Sequence, residues 1–317
     1  MLLAVAIGGL SLLMTAGARF LPLDRVAAPT AIAIWFCVLA VGAIASVAAT
    51  AFAIVFLPET AIYSYLAGLC VHLGVPVISP HVGISGHTAL HLAMALPVVG
   101  LFASIVWLIS RFTTGWWTLR SRIKRSVETD DGWALIRDDE LVFGVAPFGR
   151  SQIVVSDTTL RAMDDAELEA GLNHEAGHLR RGHRPILFGA RVLAAIGFAF
   201  PGTSRAQSNL HLALERDADE YAVRQTRDPL SLASAICKAA TGPRSVGGIG
   251  LAGARVNRRL DYLEGHLTLA GPRVRRSMHG VTLLFVAATL VFAATTSAWA
   301  AGAPVGEHTW SISSTDC

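Results

Sequence analysis

Leu172-Asn173-His174-Glu175-Ala176-Gly177-His178-Leu179-Arg180-Arg181-Gly182-His183 is the stretch on which the reading of this chain turns. Four residues make a little over one helical turn, so His174 and His178 project from the same face of a helix. Two imidazoles so placed can share one Zn²⁺. Glu175 then stands beside the open position of the metal, where it can act as general base on a water. Alone, the five-residue pattern is weak, since two solvated histidines on a surface helix would look the same.

The second piece is Leu212-Ala-Leu-Glu215-Arg-Asp-Ala-Asp219-Glu-Tyr-Ala-Val223. A zinc site with two ligands on one helix needs a third, and Glu215 on a following helix can supply it, leaving the fourth position to water. Asp219, one turn on, is spaced to accept the outward N–H of a metal-bound imidazole and so fix its tautomer. Acidic residues at this spacing are common on ordinary helix faces. It is their position 37 residues after His178 that makes the pair of motifs informative.

The composition is that of a membrane protein. Mean hydropathy is +0.51. Hydrophobic residues make up 53% and charged residues 15%, against roughly 25% charged in soluble domains. Four apolar stretches, near 1–18, 31–57, 88–110 and 277–301, approach or exceed the roughly 20 residues needed to cross a bilayer. A weaker stretch at 60–78 reads as interfacial or re-entrant. Arg111, Arg120, Arg122, Lys124 and Arg125 follow the third span, and Arg273, Arg275 and Arg276 precede the fourth, while 58–87 holds no Lys or Arg. The positive-inside rule then places 111–276 in the cytoplasm and 58–87 outside. The net charge of +3 is accounted for by these anchors, and no basic stripe interleaved with aromatics points to nucleic acid. The four cysteines form no CxxC pair. Cys70 and Cys317 would both face outside, where pairing is open. The spans lack the internal ionisable residues of an ion path, apart from His91.

The expected fold is therefore a mainly α membrane protein, with four transmembrane helices and a cytosolic α+β zincin-like domain between the third and fourth. The divisions are a three-span region at 1–125, the metallopeptidase domain at 126–276, a fourth helix at 277–301 and a short external tail at 302–317. Within the domain, 141–145 and 152–156 read as a β-hairpin. Asp164 and Glu167 have the spacing of a capping box opening the His-pair helix. Pro185–Phe200 is too short to span and reads as a buried core helix or one docked on the membrane surface, with a polar turn after Pro201-Gly202. An oxyanion donor is also expected. His183, His211 and Tyr221 are the nearest candidates by sequence.

Taken together, 153–156, 165–168, His174–His178 and the Glu215-x-x-Ala-Asp219 element resemble the BlaR/MecR-type membrane zinc metallopeptidases, and more distantly the HtpX and CAAX-protease type. The resemblance implies a bacterial plasma-membrane protease with Zn²⁺ held by His174, His178 and Glu215, Glu175 as base and Asp219 behind the ligands. It implies a protein or peptide substrate, with regulated cleavage of a transcriptional repressor as the expected role. Membrane quality control, or a non-catalytic binding module, are the alternatives. The beta-lactam sensors of that family carry a penicillin-binding domain after the last span. Only a short tail follows here, so beta-lactam sensing is not expected.

Overall fold

A computed structural model describes residues 23–56, 102–114, 133–137, 153–198, 200–241, 256–265 and 280–291, the strand segments 127–128 and 143–145, and a few isolated positions beside them. The expected first span, the loop 58–87 with its segment 60–78, Cys70, Cys317, the basic run at 120–125, Arg273 to Arg276 and the tail 302–317 lie outside the described residues.

Helix α1, Ala28–Phe56, begins with Pro29 in its first turn, where a missing N–H costs nothing. Its stretch Ala28–Thr50 is long and apolar enough to cross a membrane, the one such helix among the described residues. The described parts of the third and fourth expected spans are the shorter apolar helices Phe102–Thr114 and Gly280–Val291.

Strands β1 (Val127–Glu128), β2 (Ala134–Ile136), β3 (Phe143–Val145) and β4 (Ile153–Ser156) form one sheet in the order β1-β2-β4-β3. β3 and β4 pair antiparallel with Gly144 opposite Val154, the expected hairpin, while β2 joins β4 in parallel. β3 is thus an edge. Ser156 caps the short helix α2, Asp157–Ala162, through its side chain. Helix α3, Asp165–Arg180, opens with the expected capping box: the Asp164 carboxylate accepts from Glu167 N at 2.8 Å, and Asp164 N donates to Glu167 at 2.9 Å.

Helix α4, His183–Ile196, starts two residues earlier than expected, after Gly182 in the left-handed conformation. Helix α5, Thr203–Thr226, follows at once: Gly202, at φ 97°, turns the chain, and the expected polar turn is already helical. α6 is Pro229–Thr241 and α7 is Val256–Leu263.

Two apolar cores flank α5. In one, Leu210, Ala213 and Leu214 of α5 pack with Ile34, Trp35 and Val38 of α1 and Leu187 of α4. In the other, Ala222 meets Val155 of β4, Ala170 of α3 and Leu232 and Ile236 of α6. α1 therefore shares a core with α4 and α5. Between the two cores, α5 carries Glu215, Arg216, Asp217 and Asp219, all buried. Charges are rarely buried unless paired, so this run marks the site.

Candidate metal centre

α3 and α5 approach closely because Gly177 has no side chain: a Cβ there would lie 3.2 Å from the Ala218 backbone and 3.1 Å from Tyr221 Cβ. The two helices thereby bring His174, His178 and Glu215 together, all three fully buried. His174 Nε2 lies 3.1 Å from His178 Nε2 and 3.5 Å from Glu215 Oε2, and His178 Nε2 lies 3.7 Å from Glu215 Oε1. The two approaches to Glu215 reach different oxygens, and one ligand atom from each of the three residues falls within 4.8 Å of the others, close to the separation of about 3.3 Å between donors on a tetrahedral ion at about 2.05 Å. Neither oxygen of the buried Glu175 meets a hydrogen-bond donor among the described residues. A buried carboxylate without a donor is costly unless a cation or water serves it. The residues present fit a divalent metal.

The two imidazoles are held differently at their outer nitrogens. His174 Nδ1 lies 2.8 Å from Asp219 Oδ1. The contact falls short of hydrogen-bond alignment. At this separation the Asp219 carboxylate still attracts a proton or positive charge on the ring, because that attraction depends on distance more than on angle. Asp219 is in turn gripped by Arg259 of α7, with Nε 2.9 Å from Oδ2 and Nη2 2.7 Å from Oδ1; Arg259 Nη1 also stands 3.0 Å from Glu215 Oε2. His178 Nδ1 instead meets His183 Nδ1 at 2.8 Å, and His183 Nε2 meets Asp217 Oδ2 at 3.0 Å. Arg181 pairs with Asp217 at the end of this chain. If Nε2 of His178 is the ligand nitrogen, its Nδ1 carries the hydrogen and donates to His183, which then donates through Nε2 to Asp217.

The electrostatics follow from these partners. Burial opposes a charged His174, but the Asp219 and Glu215 carboxylates beside it outweigh this and push its pKa up to about 9. A nitrogen that holds a proton so firmly sits in a potential that favours any cation. Burial pushes His178 well below the ordinary histidine value, keeping it neutral as a ligand must be. Burial pushes Glu175 up to about 8 against the pull of His174. Burial also opposes the Glu215 and Asp219 carboxylates, yet Arg259 and His174 hold Glu215 well below the usual range and lower Asp219 as well.

The three oxyanion candidates separate. His183 is taken up by His178 and Asp217. Tyr221 lies under the guanidinium groups of Arg180 and Arg181 and against Gly177. His211 Nε2 stays near the centre, 3.9 Å from Glu215 Oε1 and partly exposed. Sequence reasoning missed Arg259, Asp217 and the role of His183. Arg259 did leave a signal, since it shares one helical face with Val256, Leu260 and Leu263, which pack into the core.

A family model described as peptidase family M48 matches residues 142–211, from β3 through His174 and His178 to His211. The match supports a metallopeptidase. It ends four residues before Glu215, so the third donor rests on the geometry above. No curated protein and no solved structure matches the chain.

Proposed function

We propose that this protein is a membrane-anchored, zinc-dependent endopeptidase. The observation that carries the reading is the buried triangle of His174, His178 and Glu215 beside a carboxylate, Glu175, that has no donor of its own. Bound there, zinc would supply Lewis acidity to a water and to the scissile carbonyl. Zinc is favoured over other divalent ions by the two imidazoles and one carboxylate. Glu175 takes the proton of the attacking water and returns it to the leaving amine. Burial favours the protonated form of Glu175, and a cation held by the neighbouring donors would draw it back towards the carboxylate that accepts the water's proton. Asp219 and His183 orient the two imidazoles, and His211 is the remaining candidate to meet the oxyanion. β3, a sheet edge packed beside α3, offers backbone groups to an extended peptide.

Regulated cleavage of a transcriptional repressor, in the manner of BlaR/MecR-type sensors, is the substrate reading carried over from the sequence resemblance. One observation favours the alternative, clearance of membrane proteins: α1, the apolar candidate span, packs against the helix bearing Glu215.

The test compares new protein N-termini in cells expressing the wild type or Glu175→Gln, with bound metal measured on both purified proteins. Glu175→Gln should keep its metal and lose every cut, whereas Glu215→Ala should lose metal. Cuts that persist in Glu175→Gln would overturn the assignment. A few cytosolic cuts would favour the repressor reading, and many in membrane proteins would favour quality control.

A further inference from the structure

We propose that the cleft between α1, α4, α5 and the helix Gly280–Val291 binds one phospholipid whose head carries a phosphate and a primary ammonium, and that this head shields the support of His178 from water. The inference rests on the membrane reading above, and its link to His178 rests on the metal centre.

The cleft has a volume of about 900 Å³, within the range of small-molecule sites. Its two parts differ in chemistry. Ile32, Phe36 and Cys37 of α1, Ile186 of α4 and Val286 supply an apolar wall. Arg181, His183, Asp217, Glu220 and Arg224 supply a polar one.

These parts follow one another along the axis of α1. A Cβ on Gly189 would lie 3.3 Å from the Phe36 ring, and one on Gly197 would lie 3.1 Å from Ala43 N. α4 therefore runs parallel to α1, with His183 at its foot. α5 runs the other way: Thr203 lies near Gly42, and Arg216 donates to the carbonyls of Leu23, Asp24 and Val26, just before α1 begins. Asp217, Glu220 and Arg224 come after Arg216, so they too stand at the foot. From Pro29 to Cys37 the wall on α1 rises about 12 Å. A charged foot below an apolar wall, shared by α1 and the described part of the expected fourth span, fits an amphiphile lying along the span with its head at the rim.

The charges at the foot select the head. Arg181 pairs with Asp217, and Arg216 is occupied by the carbonyls before α1 and by Tyr262 Oη at 3.1 Å. Arg224 has more room: its side chain is 67% exposed, and its contact with Glu220 is 3.4 Å long. It is the guanidinium placed to take a phosphate. Glu220 has the opposite need. Burial pushes its carboxyl up, and Asp217 adds to the push against the pull of Arg216 and Arg224. A further cation therefore stabilises it, and a primary ammonium brings three N–H groups to donate. Arg181 and Arg224 balance Asp217 and Glu220, so a head of one sign gains less here than a head of both. A choline head has no N–H to donate, and a glycerol head has no cation. Phosphatidylethanolamine has both groups. His183 and Asp217 line the same foot, so a head seated there covers the pair that orients His178.

The full-length protein in detergent micelles is offered equal amounts of phosphatidylethanolamine, phosphatidylcholine and phosphatidylglycerol with the same acyl chains, and native mass spectrometry counts what is retained. One phosphatidylethanolamine should be kept, ahead of the other two by about 10-fold, the worth of one charge-assisted hydrogen bond. Glu220→Gln should bring it down to the level of phosphatidylcholine, and Arg224→Gln should lower all three lipids, with thermal unfolding to check that both variants remain folded. Equal retention of the three lipids, or a preference for phosphatidylglycerol, overturns the choice of head. Unchanged retention in both folded variants overturns the site. Phosphatidylethanolamine with a diazirine at the end of one acyl chain should label segment 32–37 or the helix at 280–291 on irradiation, and labelling confined to other segments overturns the placement of the chain. Zinc should bind several-fold more tightly in phosphatidylcholine nanodiscs once phosphatidylethanolamine is added; equal affinity overturns the link to His178 and leaves the lipid site standing. Protein stripped from cell membranes by alkaline carbonate overturns the membrane reading itself.

Discussion

The two sides of the candidate metal centre present the same ligand type with different support. On one side His174 leans on a carboxylate, Asp219, which is locked by the buried guanidinium of Arg259 from a distant helix. On the other His178 leans on a neutral partner, His183, and reaches a carboxylate, Asp217, only through it. The first side concentrates charge and makes a strong cation site. The second keeps its imidazole neutral and fixes its tautomer through hydrogen bonds. Outer partners of this kind orient metal ligands and raise their basicity, so both sides should matter to metal binding and should fail differently.

The largest effect is expected from Arg259→Leu. It leaves Asp219 and Glu215 buried without their cation, and breaking a buried pair on one side typically costs about 3–5 kcal/mol. Denaturant unfolding of the purified protein checks this, and Arg259→Lys should recover only part of the loss because a lysine cannot reproduce the fork. Unchanged stability in Arg259→Leu would mean that the first side is not held from α7.

Next come the substitutions that separate the sides. Asp219→Asn and His183→Phe should each lower zinc affinity by about 10- to 100-fold, read by competition with a chromophoric chelator. His183→Asn should restore much of the affinity, since its amide oxygen can accept from His178, and the d–d spectrum of the cobalt-substituted protein should return with it. Equal loss in the Phe and Asn variants would mean that His183 acts by packing alone.

The smallest effect lies outside both sides and serves as their control. Burial works against the Glu167 carboxylate, but its bonds from Lys238, Ser234 and the Asp164 backbone outweigh this and hold its pKa below the ordinary value. The stability this gives is present above the pKa of an unfolded glutamate, about 4.3, and is lost as pH falls through the lower folded value. Lys238→Met should therefore flatten the acid limb of the stability curve, measured by thermal unfolding across pH, and leave zinc affinity unchanged.

The parts whose geometry is local can be read from the chain alone. His174 and His178 four residues apart on one helix, the Asp164–Glu167 capping box and the β3–β4 hairpin all follow from helical and strand periods that any reader of the chain can apply. Glu215 and Asp219 were legible because their spacing matches what two histidines on another helix still need. The rest depends on which distant elements pack together. Of the neighbours Arg258 and Arg259, which one reaches the carboxylates depends on how α7 lies across α5. His183 is one of three oxyanion candidates by sequence position, and the turn at Gly182 folds it back onto His178. Pro185–Phe200 could be read as a core helix or a surface helix; its place between α1 and the helix ending at Thr114 came from packing. The physical reason is the same in each case. Hydrogen bonds within a turn are fixed by chain geometry, whereas the partner of a buried charge is fixed by which distant element brings an opposite charge to it.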